Sequence, residues 1–259
     1  MPARSIWNGA IALGAVTVPI KVFGATEDQQ IRFREVHLPD GAPVAHVLVD
    51  PTKDDAEVDR DDVVKGYEVK EGEWVELTDD EVKAADQPKR KAIELEEFVP
   101  RADIDPVYYD KPYNLAPQAG AEDGYALLAE AMDRTERVGI GRVVLRTKEQ
   151  LVALRVTDGL IRMHTLHARD EVVAGKDLKV PRPKKKPARR EIDMAGALVE
   201  QLSGDFQPGR YKDTYRDRVM KLVDAKAKGK EPKLARPKEP EATDDLLAAL
   251  EASVKAGKK

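Results

Sequence analysis

The dipeptide Asp158-Gly159, set between two strand-like runs, constrains the fold more tightly than any other short segment of the chain. Asp-Gly favours a two-residue type I′ turn, because both residues tolerate the positive φ angles that this turn requires. The apolar runs at residues 150–156 and 160–166 lie directly on either side of it. We therefore predict that these runs are consecutive antiparallel strands of one sheet.

The N-terminal part of the chain contains further strand patterns. Residues 11–23 alternate near period two and are interrupted at Gly14 and Pro19. This pattern predicts two short strands, or one edge strand with a bulge. Residues 31–37 alternate again and are predicted as another strand.

A hairpin and a short helix are predicted next. Residues 63–69 and 73–77 have strand composition and are joined by a Glu-Gly turn. Residues 78–85 are predicted as a helix, because Thr78 and Glu81 have the spacing of a capping box.

The middle of the chain combines one helix with more strands. Residues 121–134 carry apolar side chains along one face and are predicted as a helix, whereas residues 111–120, with two prolines, are predicted as a loop. Further strands are predicted at residues 92–99, 107–109 and 142–146. With about eight to ten short strands and one inserted helix, the chain is predicted to be mainly β with α, as a closed antiparallel barrel followed by a small helical segment.

The predicted C-terminal elements are helical. They comprise a basic linker at residues 179–190, helices at 191–202 and 208–228, and a basic flexible tail at 229–259 with a short helix at 243–256. Pro208 suits the first turn of the second helix, where Gln207 or Asp205 could act as the cap.

Charge is unevenly distributed, although the net charge is only −4. Residues 50–110 carry a net charge of −12, whereas residues 176–190 and 210–238 each carry +7. Such segregation suits a chain in which one surface meets a polyanion and another faces solvent or partners. A second interpretation stays open, in which the lysine-rich runs only keep the protein in solution.

The residue types needed for catalysis are sparse. The chain has no cysteine, and Ser5, Ser203 and Ser253 lie in no nucleophile-elbow motif. No P-loop motif is present, and His164 and His167 would face opposite sides of a strand, which disfavours a shared metal. We predict no enzymatic activity, cofactor or metal site. No apolar run approaches the roughly 18 residues of a membrane helix, so we expect no membrane span.

Residues 206–216 have the pattern F-x-P-x-x-Y-x-D-x-Y-R, and this segment resembles the C-terminal segment of bacterial Ku, the end-binding protein of non-homologous DNA end joining. Three further segments agree with the Ku core in order and spacing. They are RSIWNGAIALGAVTVPIKVFGATED at residues 4–28, DPVYYDKPYNLAPQAGAEDGYALLAEAM at 105–132 and VGIGRVVLRTKEQLVALR at 138–155.

The resemblance implies a Ku-core β-barrel at residues 1–178 with a protruding arch at about residues 27–65. It implies a non-enzymatic homodimeric ring on double-stranded DNA ends, located in the cytoplasm with the nucleoid. It also implies that residues 191–228 recruit the multifunctional end-joining DNA ligase. The motif carries this ligase-binding role to Tyr211, Tyr215 and Arg216, for which internal packing of the two helices is the alternative.

The arch of this chain departs from the family pattern. Many bacterial relatives carry a C-x-x-C pair near the position of residues 47–58, whereas this chain has no cysteine. We therefore expect the arch to be held by strand pairing or by contact with the second subunit.

A protein that accepts any DNA end must contact phosphates, which carry no sequence information. The candidates are Arg32, Arg34, His37, Lys53, Arg60 and Lys65 on the arch and its approaches, and Lys21, Lys111, Arg142, Arg146 and Lys148 on the barrel. Arg142 and Arg146 are favoured, because two residues four apart on a strand share a face. Each candidate has the alternative role of a solvated surface charge. A second hypothesis is a module that coats duplex anywhere through residues 179–190 and 210–238.

Overall fold

The computed structural model describes residues 4–84, 91–145, 148–178, 180–181, 186–230, 249–250 and 252 of the 259-residue chain. Its strands are β1 (Trp7–Leu13), β2 (Val16–Gly24), β3 (Val49–Asp50), β4 (Ala56–Glu57), β5 (Lys65–Lys70), β6 (Glu73–Leu77), β7 (Ala92–Pro100), β8 (Tyr109–Pro117), β9 (Arg137–Leu145), β10 (Lys148–Thr157) and β11 (Leu160–Leu166). Its α-helices are α1 (Asp79–Ala84), α2 (Glu122–Arg134), α3 (Arg189–Leu202) and α4 (Thr214–Ala227). The chain divides into two compact units, Met1–Gln29 with Phe33–Asp177, and Gln30–Arg32 with Leu178–Lys259.

Seven strands of the first unit form a closed barrel in the order β1-β2-β8-β11-β10-β9-β7. Six neighbouring pairs are antiparallel, and β7 closes the ring by pairing in parallel with β1. The predicted barrel is confirmed, with one difference from the antiparallel expectation. An odd number of strands cannot alternate in direction all the way around a ring, so at least one neighbouring pair must be parallel.

The barrel core is built from alternate residues of its strands. Ile20, Leu115, Leu154, Ile161 and Met163 are completely buried, and each lies in a different strand or at a different level of the barrel. Their neighbours in sequence face outward, as the period-two geometry of a strand requires. This parity decides which polar side chains reach the outer surface.

Helix α2 covers the core and is anchored by one phenol group. Tyr125, Ala129 and Met132 are its buried residues. The Tyr125 hydroxyl donates to the Leu115 carbonyl (2.7 Å) and accepts from the Ile161 N–H (2.8 Å). Burial raises the pKa of Tyr125, so the phenol stays protonated and holds the helix to two strands.

The predicted tight turns are confirmed. Asp158 and Gly159 have φ angles of 53° and 73° in the turn between β10 and β11, as a type I′ turn requires. Residues 11–23 form two strands, β1 and β2. The β5–β6 hairpin turns at Gly72, where φ is 81°, and the Thr78–Glu81 capping box begins α1.

Two local predictions in the first unit are wrong. Residues 31–37 form no strand and contribute only a bridge between Val36 and Pro43, because alternation without a covering layer gives the segment no sheet to join. Residues 111–120 were predicted as a loop, but most of them form β8, which pairs with β2 and β11. Pro117 ends that strand, and Pro112 lies near a register irregularity opposite His164, so the missing N–H groups are tolerated.

Residues 107–109 also differ from the predicted strand. A 3₁₀ turn spans Pro106–Tyr108, and the Asp105 side chain caps it by accepting from the Val107 N–H (2.9 Å). Pro106 at the first position of the turn favours this geometry, and β8 begins only at Tyr109.

A long excursion between β2 and β7 has no core of its own. Within the described stretch from residue 26 to residue 82, no residue is buried. Large apolar side chains are instead exposed, including Phe33, Leu38, Tyr67 and Trp74, and Leu38 is 95% exposed. In its described part, the regular elements of this excursion are the short β3–β4 ladder, the 3₁₀ turn Arg60–Asp62, the β5–β6 hairpin and α1.

The second unit contains α3 and α4. The predicted helix beginning at Pro208 is wrong in its start: Pro208–Arg210 form a single 3₁₀ turn, and Gln207 makes no side-chain capping bond. Helix α4 begins at Thr214, because Asp213 caps it by accepting from the N–H groups of Tyr215 and Arg216 (3.0 Å each). The predicted tail helix at 243–256 lies almost wholly outside the described residues.

Candidate nucleic-acid interface

Three of the six arch candidates lie beside carboxylates. His37 Nδ1 is 2.9 Å from Asp40, Lys53 Nζ is 3.4 Å from Asp50, and Lys65 Nζ is 3.0 Å from Asp79. Every one of these side chains is largely exposed except Asp50, which is 24% exposed. Solvent-exposed pairs contribute about 0–1 kcal/mol each. Phosphate groups could therefore replace these carboxylates at small cost.

The remaining arch candidates are also exposed. Arg60 begins a 3₁₀ turn, Arg60–Asp62, whose next two residues are acidic. Arg34 has no hydrogen bond or ion pair with any residue in the part of the chain that the structure describes. Arg32 lies in a segment assigned to the second unit.

The barrel candidates are not brought together. Arg142 lies on the outer face of β9, where its Nε is 2.9 Å from Glu96 and its Nη1 is 3.4 Å from Glu149. Lys148 pairs with the core residue Leu145 and so lies on the opposite face of the same two strands. Arg146 lies outside the described residues. The predicted grouping of Arg142 with Arg146 and Lys148 therefore gains no geometric support.

Lys21 and Lys111 occupy neighbouring strands. Lys21 is exposed on β2, with its neighbours Ile20 and Val22 buried, so its side chain is on the outside of the barrel. Lys111 is exposed near the start of β8, five residues from Ala116, the cross-strand partner of Lys21.

Sequence reasoning missed two arginines on the same outer face as Lys21. Arg155 in β10 and Arg162 in β11 are directly opposite each other, and Arg162 is also opposite Asn114 of β8. The sequence is sufficient to predict this pair, because a two-residue turn at Asp158-Gly159 fixes the register of both strands. Counting outward from that turn places Arg155 against Arg162.

The three residues of the ligase motif are exposed at the second unit. Tyr211 and Tyr215 are 72% and 61% exposed. The Phe206 and Tyr211 rings are stacked, with centroids 5.6 Å apart. Arg216 contributes its N–H to the Asp213 cap. No residue of α3 or α4 is buried, so the alternative role of internal packing involves little burial.

The structure offers no competing site for metal chemistry in the part that it describes. Among the described residues, no group of three or more His, Asp or Glu side chains could hold a metal ion. None of the described helices combines the length and apolarity needed to cross a membrane.

Comparison with known proteins identifies the barrel. Residues 12–194 match the family model described as the Ku70/Ku80 beta-barrel domain. A protein of Mycobacterium tuberculosis (H37Rv) named non-homologous end joining protein Ku is 39% identical over 99% of this chain and 96% of its own length. Proteins of the same name from Bacillus subtilis and Symbiobacterium thermophilum are 35% and 40% identical. They cover 97% and 98% of this chain, which spans 81% and 63% of their lengths. The chain therefore belongs to the Ku family.

Proposed function

We propose that this protein is a homodimeric ring that binds double-stranded DNA ends without regard to sequence in double-strand break repair by non-homologous end joining. The observation that carries the proposal is the near full-length match to relatives named non-homologous end joining protein Ku. No catalytic step is assigned to the protein, and its expected location is the cytoplasm, with the nucleoid.

Homodimerisation is supported by the exposed apolar excursion. Tyr67 and Val75 form an exposed cross-strand pair of large apolar side chains, which is typical of an interaction surface. Tyr67, Trp74 and Val75 belong to one hairpin, in which Tyr67 pairs with Val75 and Glu68 pairs with Trp74. A second copy of the chain would cover these side chains and would brace an arch that has no cysteine pair.

Binding without sequence preference is supported by the kind of groups available. The barrel and the arch offer Lys and Arg side chains, which contact phosphates through charge and hydrogen bonds. A closed ring adds a topological requirement, because a duplex can enter it only through an end.

Ligase recruitment is proposed for the second unit. The stacked pair Phe206 and Tyr211, together with Tyr215, presents aromatic surface that resembles a binding hot spot in composition and exposure. Arg216 lies in the same turn as Tyr215 and supplies a charge for the partner.

Competition for a labelled linear duplex tests the ring. Unlabelled linear DNA should compete, and a closed circular plasmid of equal mass should not. Equal competition by the circle would contradict the ring and would favour a module that coats duplex anywhere. In that second case deletion from Pro181 onward would abolish binding, whereas the ring should retain it. Light scattering of the free protein should give the mass of two chains.

A further inference from the structure

An unusual cluster of basic side chains lies on the outer face of β10 and β11. Arg155 and Arg162 occupy a directly opposed cross-strand pair, and His164, two residues beyond Arg162, is opposite Ala153. The inward-facing neighbours Leu154, Ile161 and Met163 belong to the core, so the three basic side chains share the other face of the sheet.

These cations lack the carboxylate partners that Arg142 has. The side chains of Arg155 and Arg162 form no hydrogen bond or ion pair with any residue that the structure describes. Their Nε atoms are buried without a hydrogen-bond partner, as is Nδ1 of His164, which is only 9% exposed. Both arginines are partly exposed, so the side chains are not sealed from an incoming ligand.

The electrostatics of the cluster are unfavourable in the free chain. Burial lowers the pKa of Arg155, and the charge of the nearby Arg101 lowers it further. Burial, followed by the charges of Arg155 and Arg162, lowers the pKa of His164 to about 4. Like charges placed directly opposite each other destabilise a strand pair. An anion between them would reverse the sign of this interaction.

Space for a ligand adjoins the cluster. A cavity of about 1070 Å³ is lined by Arg101, Tyr109, Arg137 and Arg155. Asp133 and Glu136 also line it, so its lining carries three arginines and two carboxylates. The Tyr109 ring also contacts His164 edge-on, with centroids 5.1 Å apart.

We propose that Arg155 and Arg162, assisted by His164 and Arg101, form a phosphate-binding site on the barrel wall that a backbone phosphate of bound DNA occupies. This inference rests on the proposed function. Guanidinium groups bind phosphate through paired, charge-assisted hydrogen bonds. Lys21 lies on the same outer face two strands from Arg162, since its partner Ala116 is two residues from Asn114. A duplex seated here would meet Lys21 with an adjacent phosphate.

The first test measures DNA affinity against salt for Arg155→Gln, Arg162→Gln and the double variant. If one phosphate is lost per protomer, the double variant should reduce the magnitude of the log–log salt slope by about 2 for a ring of two chains, and this corresponds to roughly thirtyfold weaker binding at 0.15 M salt. Lys91→Gln is the control, because Lys91 is exposed immediately before β7, which β9 separates from the cluster. The control should keep the wild-type slope.

Thermal unfolding separates this role from a structural one. The arginine variants should unfold at the wild-type temperature or above it, because each removes an unfavourable charge opposition. Lower stability, or a wild-type salt slope in the double variant, would overturn the proposal. Failure of the wild-type protein to bind duplex ends would instead overturn the proposed function.

The imidazole signal of His164 provides a readout that does not depend on DNA affinity. Its pKa, followed by NMR and assigned with His164→Gln, should rise when short duplex is added and should rise less in Arg162→Gln. A response to inorganic phosphate without a response to duplex would overturn the assignment to the DNA backbone. No response to either anion would overturn the site.

Discussion

Replacing Tyr125 by Phe should remove the hydrogen-bonded link between α2 and the barrel without changing how the aromatic side chain packs. The hydroxyl bridges the Leu115 carbonyl and the Ile161 N–H at 2.7 and 2.8 Å. Each buried polar group that loses its partner costs about 1–3 kcal/mol. The phenyl group of the variant still fills the space of the phenol, so no cavity is created. We therefore expect a loss of about 2–4 kcal/mol in the free energy of unfolding, or about 5–15 °C in Tm for a unit of this size.

Urea and thermal unfolding at one fixed protein concentration would measure this loss, because dimerisation makes stability depend on concentration. Tyr108→Phe is the matched control, since Tyr108 is half-buried in the same unit and its hydroxyl makes no hydrogen bond with any described residue. Equal unfolding midpoints for the two variants would refute the bridging role of the phenol.

Tyr125 should also affect how the stability of the protein depends on alkaline pH. Burial raises the pKa of Tyr125 above its ordinary value of 10.0. The folded state therefore holds the proton longer than the unfolded state, and the contribution to stability is fully present below pH 10. It is lost as pH rises through the folded pKa. The Phe variant should lack this part of the alkaline decline.

Two further variants test close packing and acid sensitivity. Gly141→Ala should destabilise the barrel by about 1–3 kcal/mol in thermal unfolding, because a Cβ there would collide with the Glu94 carbonyl. Gly175→Ala is the control, because a Cβ at that position meets open space. Equal stability of the two variants would contradict the close approach of the Glu94 carbonyl to Gly141. The pKa of His164 is about 4 in the folded state, below its ordinary 6.5. Its contribution to stability is therefore complete above pH 6.5 and is lost as pH falls through about 4. His164→Gln should flatten this acid decline, and an unchanged profile would show that other groups cause it.

Strands and turns with local signals were predictable from the sequence. The Asp158-Gly159 turn, the capping box at Thr78 and the apolar face of α2 each depend on residues close together in the chain. β8 was missed because its two prolines argue locally for a loop, whereas its pairing with β2 and β11 is a tertiary property. The start of α4 was misplaced for a related reason, since Pro208 begins only one 3₁₀ turn and Asp213 is the actual cap.

The candidate interface was harder to predict than the fold, because a cation's partners decide its role and sequence does not show partners. Arg142 was favoured from its strand position, yet Glu96 and Glu149 lie within ion-pair distance of it. Lys53 and Lys65 likewise have carboxylate neighbours, as expected in residues 50–110, whose net charge is −12.

Charge compensation therefore separates two kinds of basic residue in this protein. A compensated pair contributes little in solution, and phosphate binding must displace its carboxylate, so its gain in DNA affinity is small. Opposed arginines without a carboxylate partner, as at Arg155 and Arg162, disfavour the free state and favour the anion-bound state. For the same number of phosphate contacts, such a pair gains more free energy on binding. The strongest contribution to DNA affinity is accordingly expected on the β10–β11 face rather than on the more exposed arch.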